Sequence, residues 1–139
     1  MTNTHKQVTA RVVPDADRAE LAGRIFGLHF PMRLEPTVFS IAGSLAKTYT
    51  GGYWHFHSLS NGGFFMTPHG TCEFEVSCPN GYTGTFSAQA LGIATCMYAY
   101  SQLSFGRGAF SGVCAEHFHW LREFALDQSE ASGILAACD

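Results

Sequence analysis

Apolar positions along this chain recur with two different periods. From Leu21 to Phe26, and again from Val38 to Tyr49, they fall at three- and four-residue spacing, as in a helix with one buried stripe. Between Tyr53 and Phe86 the period drops to two, the period of strands. After Ser87 the helical spacing returns, first through Leu91, Ala94 and Tyr98, then through Phe118, Leu121, Phe124 and Ala125. The order predicted is ααββββααα. This is an α+β fold with a small four-stranded antiparallel sheet, made of two hairpins and packed with about five helices.

Capping and turn residues place the boundaries. Asp15 or Asp17 can cap a helix through about Phe26, which Gly27 ends. Pro36 suits the first position of a second helix reaching about Tyr49. Asn61-Gly62 and Asn80-Gly81 each lie between strand-like runs and predict two-residue type I′ turns. The first hairpin joins residues 53–59 to 63–67, and the second joins 72–78 to 82–86. In the latter, Cys72, Phe74, Val76 and Cys78 alternate with Glu73, Glu75 and Ser77, giving one buried and one wet face. The first hairpin is apolar on both faces, with Trp54, Phe56 and Phe65 on one and Tyr53, Leu59, Phe64 and Met66 on the other. It is therefore either central or turned toward a partner. Ser87 reads as the N-cap of a helix to about Phe105. A fourth helix runs from about Val113 to Leu126, and a fifth from Ser129 to near Cys138. Residues 1–13 read as a loosely ordered tail or edge strand, and residues 1–139 as one domain.

Composition narrows the function. The 139 residues are 46% hydrophobic and 14% charged, the balance of a chain that buries a core. Eight basic and 11 acidic residues leave a net charge of −3. No lysine or arginine lies between Lys47 and Arg107. A phosphate-backbone binder needs a cationic footprint, so direct DNA binding is expected to be weak or absent. The same charge is far too small to imitate duplex DNA. Tyr53, Phe64 and Phe65 could stack single-stranded bases on a sheet, but such platforms carry cations beside their aromatics. Five cysteines show no CxxC spacing. On one strand Cys72 and Cys78 would stand roughly 20 Å apart, too far to bridge. Free thiols in a reducing compartment are expected. There is no apolar leader core and no run of membrane-spanning length, so a cytoplasmic protein without a membrane partner is expected.

The search for chemistry returns little. His55 and His57 share a strand face and could serve a small metal- or ligand-dependent enzyme. The glutamate that a cupin-like site would place next is replaced by Ser60 and Asn61. His117 and His119 point about 200° apart on a helix. There is no GxSxG elbow and no glycine-rich phosphate loop. Glu73 and Glu75 read as a solvated pair on a wet strand face. The expectation is no catalytic residue, no metal and no cofactor. Arg122 lies within FHWLREFAL. It is either a helix-surface residue paired with Glu116, Glu123 or Asp127, or an anchor for a protein partner.

The stretch YTGGYWHFHSLSNGGFFMTP, residues 49–68, closely resembles the ArdB/KlcA family of antirestriction proteins. The resemblance continues through Asn80-Gly81-Tyr82, Ser87-Ala88, Gly92-Ile93, Phe118-His119, Leu121-Arg122, Phe124-Ala125-Leu126 and Glu130-Ala131. His57, Phe65, Phe118 and Phe124 stand where the family commonly has tyrosine. The resemblance implies a non-catalytic α+β protein of mobile elements that protects unmodified DNA from type I restriction–modification enzymes. The partner would be that enzyme, alone or on its DNA, met by a monomer or weak dimer. The expected partner-binding residues are Tyr53, Trp54, Asn61, Phe64, Phe65, His119 and Arg122. Gly51, Gly52, Gly62 and Gly63 are expected to shape the turns.

Overall fold

The computed structural model describes residues 7–139. The part of the expected N-terminal tail at residues 1–6 lies outside the described residues. Strand β1 (Ala10–Val12) leads through a 3-10 turn (Asp15–Asp17) into helix α1 (Arg18–Phe26). Gly27, at φ 60°, ends α1 as predicted. Where a proline-containing loop was expected, a π turn (Phe30–Leu34) runs directly into α2 (Glu35–Leu45). Helix α2 stops four residues short of its predicted end, because Ala46 turns extended and bridges Val76.

Four strands follow: β2 (Trp54–Leu59), β3 (Phe64–Pro68), β4 (Phe74–Ser77) and β5 (Thr83–Phe86). They do not form one sheet. The order β1-β2-β3 makes one antiparallel sheet, and β4-β5 makes a second. The reason lies at the outer edge of β3, which helix α3 (Ala88–Ser104) already covers. The Tyr100 hydroxyl donates to the Phe64 carbonyl at 2.7 Å, and the Met66 amide donates to Cys96 Sγ at 3.4 Å. Gly92 brings α3 so close that a Cβ there would lie 2.2 Å from the Met66 carbonyl oxygen. No room remains for β4 to pair with β3.

Both hairpins occur where Asn-Gly predicts them, but the turns are not type I′. Asn61 and Asn80 keep negative φ, and only Gly62 (φ 102°) and Gly81 (φ 92°) are positive. The Gly62 amide donates to the Leu59 carbonyl, and Leu59 in turn donates to Gly63. The Gly81 amide donates to Cys78, and Cys78 donates to Tyr82, in the same pattern. These are three-residue loops ending in a left-handed glycine. The extra residue slips the register by one and exchanges faces. His57 thus opposes Phe65 and Phe56 opposes Met66. Phe65 therefore lies with the histidines, while Phe64 and Met66 lie with Trp54 and Phe56, correcting the predicted face assignment.

Helix α3 is apolar on every side and buried along most of its length, so it is the centre of the core. Ser87 caps it as predicted, its Oγ accepting from the Ala90 amide at 3.1 Å. Helix α4 (Ala109–Ala125) begins four residues earlier than expected and packs along α3. Helix α5 (Ala131–Cys138) starts after Glu130, not at Ser129. The Glu130 carboxylate is turned back to accept from the Ser87 amide, at 3.0 Å, and from its hydroxyl. All five cysteines are free.

Candidate functional site

The predicted partner residues separate into three groups. Trp54, Phe64 and Phe65 are only 1–2% exposed. They belong to the core and cannot touch a partner while the protein is folded. Trp54 donates its indole N–H to the Tyr49 hydroxyl at 2.8 Å, and Phe64 stacks edge-on to Phe26, Phe30 and Phe56. With Phe64 and Phe65 enclosed, the sheet offers no platform of exposed rings to stacked bases.

The second group surrounds the tip of the first hairpin. The Asn61 side chain accepts from the Gly63 amide at 3.0 Å, closing the turn. Its Nδ2 donates to the Trp120 carbonyl at 3.0 Å and to Glu123 at 2.8 Å, fastening the tip to α4. A Cβ on Gly62 would stand 3.6 Å from the Trp120 ring, and one on Gly63 would meet Leu59 at 2.8 Å. On α4, His119 and Arg122 are both exposed. They lie three residues apart and share a face, and Leu126, a further turn along, is 48% exposed. The hairpin tip is held to α4 at Trp120 and Glu123, the sequence neighbours of His119 and Arg122.

The third group is at the other end of β2, roughly 20 Å away along the strand. Tyr53 is 47% exposed there. Its hydroxyl donates to Asp15 and accepts from Arg18 at 2.8 Å. The hydrogen bond to Asp15 raises the tyrosine pKa from its ordinary value. Arg18 also donates to the Trp54 carbonyl at 2.7 Å, and its guanidinium sits 3.8 Å from the Phe56 ring centroid. Gly51 and Gly52, at φ 99° and 121°, set the loop before Tyr53. Arg18 escaped the sequence reading because its position in α1 marks it only as a helix-surface cation.

The histidines also part company. His57 stacks on Phe65 at 4.5 Å and bonds Thr67 Oγ1 at 2.8 Å. Burial, with His55 nearby, lowers its pKa to about 4. His55 instead faces His69, with Nε2 and Nδ1 2.8 Å apart. The His55/His57 pair considered from sequence is therefore replaced by His55/His69. Only the correct register, which opposes Trp54 to Pro68, could have shown this. Among the described residues no group of three or more His, Cys, Asp or Glu side chains converges on one point. No helix among them is long and apolar enough to cross a membrane.

Comparison with known proteins completes the picture. A family model described as antirestriction protein matches residues 47–139. The chain is 36% identical over 141 residues to Antirestriction protein KlcA of Escherichia coli, with 99% of each chain covered. A second Escherichia coli KlcA is 37% identical over 138 residues, covering 95% of this chain and 94% of that one. A solved structure superposes with a TM-score of 0.90 at 34% identity and covers both chains completely. That work describes a novel fold for KlcA and ArdB, with antirestriction activity against type I DNA restriction systems in vivo but not in vitro.

Proposed function

The chain belongs to the antirestriction protein family, and from that premise we propose that it protects unmodified DNA from type I restriction–modification enzymes. The observation that carries this reading is the full-length match to a solved antirestriction protein, at a TM-score of 0.90. The proposed mode is protein-surface contact with the restriction enzyme, free or on its DNA, without turnover and in the cytoplasm where that enzyme meets DNA. Charge supports it: a net −3 on 139 residues cannot reproduce the phosphate density of a duplex. The proposed contact surface is the α4 stripe of His119, Arg122 and Leu126 beside the Asn61 turn. It joins a guanidinium on α4 and the exposed apolar side chain of Leu126 at its C-terminal cap, a composition suited to an interface hot spot. Tyr53 lies on a separate surface and is assigned a lesser part.

The solved relative acts in vivo and not in vitro, so the test belongs in living cells. Unmodified phage is plated on a host with an active type I system, with and without the protein, and methylated phage is the control. Protection confined to unmodified phage is expected. The double variant His119→Ala/Arg122→Ala should lose protection while keeping wild-type thermal stability. Full protection by that variant would remove the α4 stripe from the proposal. No protection by wild-type soluble protein would remove the proposal itself.

A further inference from the structure

We infer that His55 and His69 form a binding site for a divalent transition metal of tetragonal preference, copper(II) foremost, independent of the surface proposed for antirestriction. The two rings come from positions fixed by the backbone. His55 lies within β2 opposite Thr67, and the His69 amide donates to the Tyr53 carbonyl at 2.8 Å. Their facing nitrogens are 2.8 Å apart, with ring centroids at 5.0 Å. Tyr53 stands edge-on to both rings, at 5.1 and 6.4 Å between centroids, and limits how far they can swing apart.

The 2.8 Å separation is that of an N–H···N hydrogen bond, and a metal ion would take the place of the shared proton. Two imidazoles held on neighbouring backbone positions can then occupy adjacent corners of the tetragonal coordination that copper(II) and nickel(II) adopt. Imidazole suits these metals, and copper(II) binds such donors more tightly than nickel(II) or zinc(II). Ligation requires both facing nitrogens to be unprotonated, so the ring now donating moves its hydrogen to its far nitrogen. The rings then tilt until both lone pairs meet at the ion. The remaining positions fall to water, because no third protein ligand converges there among the described residues. A depression of about 590 Å³ lined by His55, Thr67 and His69 leaves room for it.

The test is titration of the full chain with copper(II) and nickel(II), with magnesium(II) as the control, followed by calorimetry. The variants His55→Gln and His69→Gln are compared with His29→Gln and His119→Gln, which alter exposed histidines elsewhere. One equivalent of copper(II) is expected in wild type and in both control variants, and none in either site variant. Electron paramagnetic resonance of the wild-type complex should show coupling to two imidazole nitrogens, a readout that does not depend on any variant folding. Copper binding that survives both site variants, or coupling to other than two imidazoles, would overturn the assignment.

Discussion

The side-chain amide of Asn61 donates to the carbonyl of Trp120 at 3.0 Å, joining positions 59 residues apart. The same nitrogen reaches Glu123, and the Oδ1 of the same residue closes the turn on Gly63. One side chain thus shapes the hairpin and docks it. Asn61→Ala removes both roles and should cost about 1–3 kcal/mol, read from urea unfolding. Asn61→Asp keeps the acceptor for Gly63 but sets a carboxylate against Glu123. Adding Glu123→Gln to Asn61→Asp should recover part of the loss. No recovery would mean that docking to α4 contributes nothing beyond the turn.

Two glycine substitutions should separate crowding from backbone conformation. Gly92→Ala drives a methyl group into the Met66 carbonyl and Thr67, atoms of a strand that cannot retreat. A loss of about 3 kcal/mol or more is expected. Gly51→Ala meets no atom within 4 Å but must adopt φ 99°. Its cost should be about 1 kcal/mol. Thermal melts of the two variants check the order, which reverses if α3 can slide away from β3.

His117 makes stability depend on pH. It is 2% exposed among Phe26, Tyr100 and Trp120, and its Nδ1 has no hydrogen-bond partner. Burial lowers its pKa from 6.5 to about 4, so the folded protein holds it neutral. Once unfolded, it takes up a proton below about pH 6.5. The neutral site is therefore at no disadvantage above that value, and stability falls as pH drops toward 4, by up to about 3 kcal/mol. His117→Phe fills the same aromatic surroundings and should be close to wild type at pH 7. Unfolding measured at both pH values should show the variant gaining on wild type as pH falls. An unchanged gap would mean that the ring is charged in the fold.

Arg18→Lys keeps the charge but loses the planar group lying 3.8 Å from the centre of the Phe56 ring. It should destabilise by about 1 kcal/mol. Calorimetric melts at low and high salt distinguish stacking from simple charge. A salt-independent loss fits the stacked guanidinium.

The helix order, both hairpins and the Ser87 cap were legible because each rests on a local signal: period, Asn-Gly, or a hydroxyl before an apolar run. The turn type was not. Asn-Gly serves a three-residue loop as well as a two-residue one, and in both hairpins the three-residue loop is closed by the Asn side chain accepting from the amide two residues on. The register followed from the loop length, and so did the faces of Phe64 and Phe65. The division into two sheets depended on Gly92 letting α3 approach β3, a contact that no strand pattern reports. Of the candidate surface residues, Tyr53, His119 and Arg122 are exposed, whereas Trp54, Phe64 and Phe65 are buried; sequence offered all six alike. It could not tell the two groups apart, because aromatic residues in a hairpin serve a core and an interface equally well.

The covered margin of β3 has a consequence for how this molecule meets other chains. Its sheet cannot grow on that side, since Tyr100, Cys96 and the backbone beside Gly92 occupy the place a visiting strand would take. The opposite margin is β1, three exposed residues followed closely by Pro14. Strand-by-strand stacking of copies on this sheet would have to begin there, on a template too short to hold a foreign strand firmly. The three-stranded sheet, which carries Phe56, Phe64 and Phe65, is thus guarded on one margin from fibrous self-association by a helix lying where the next strand would go.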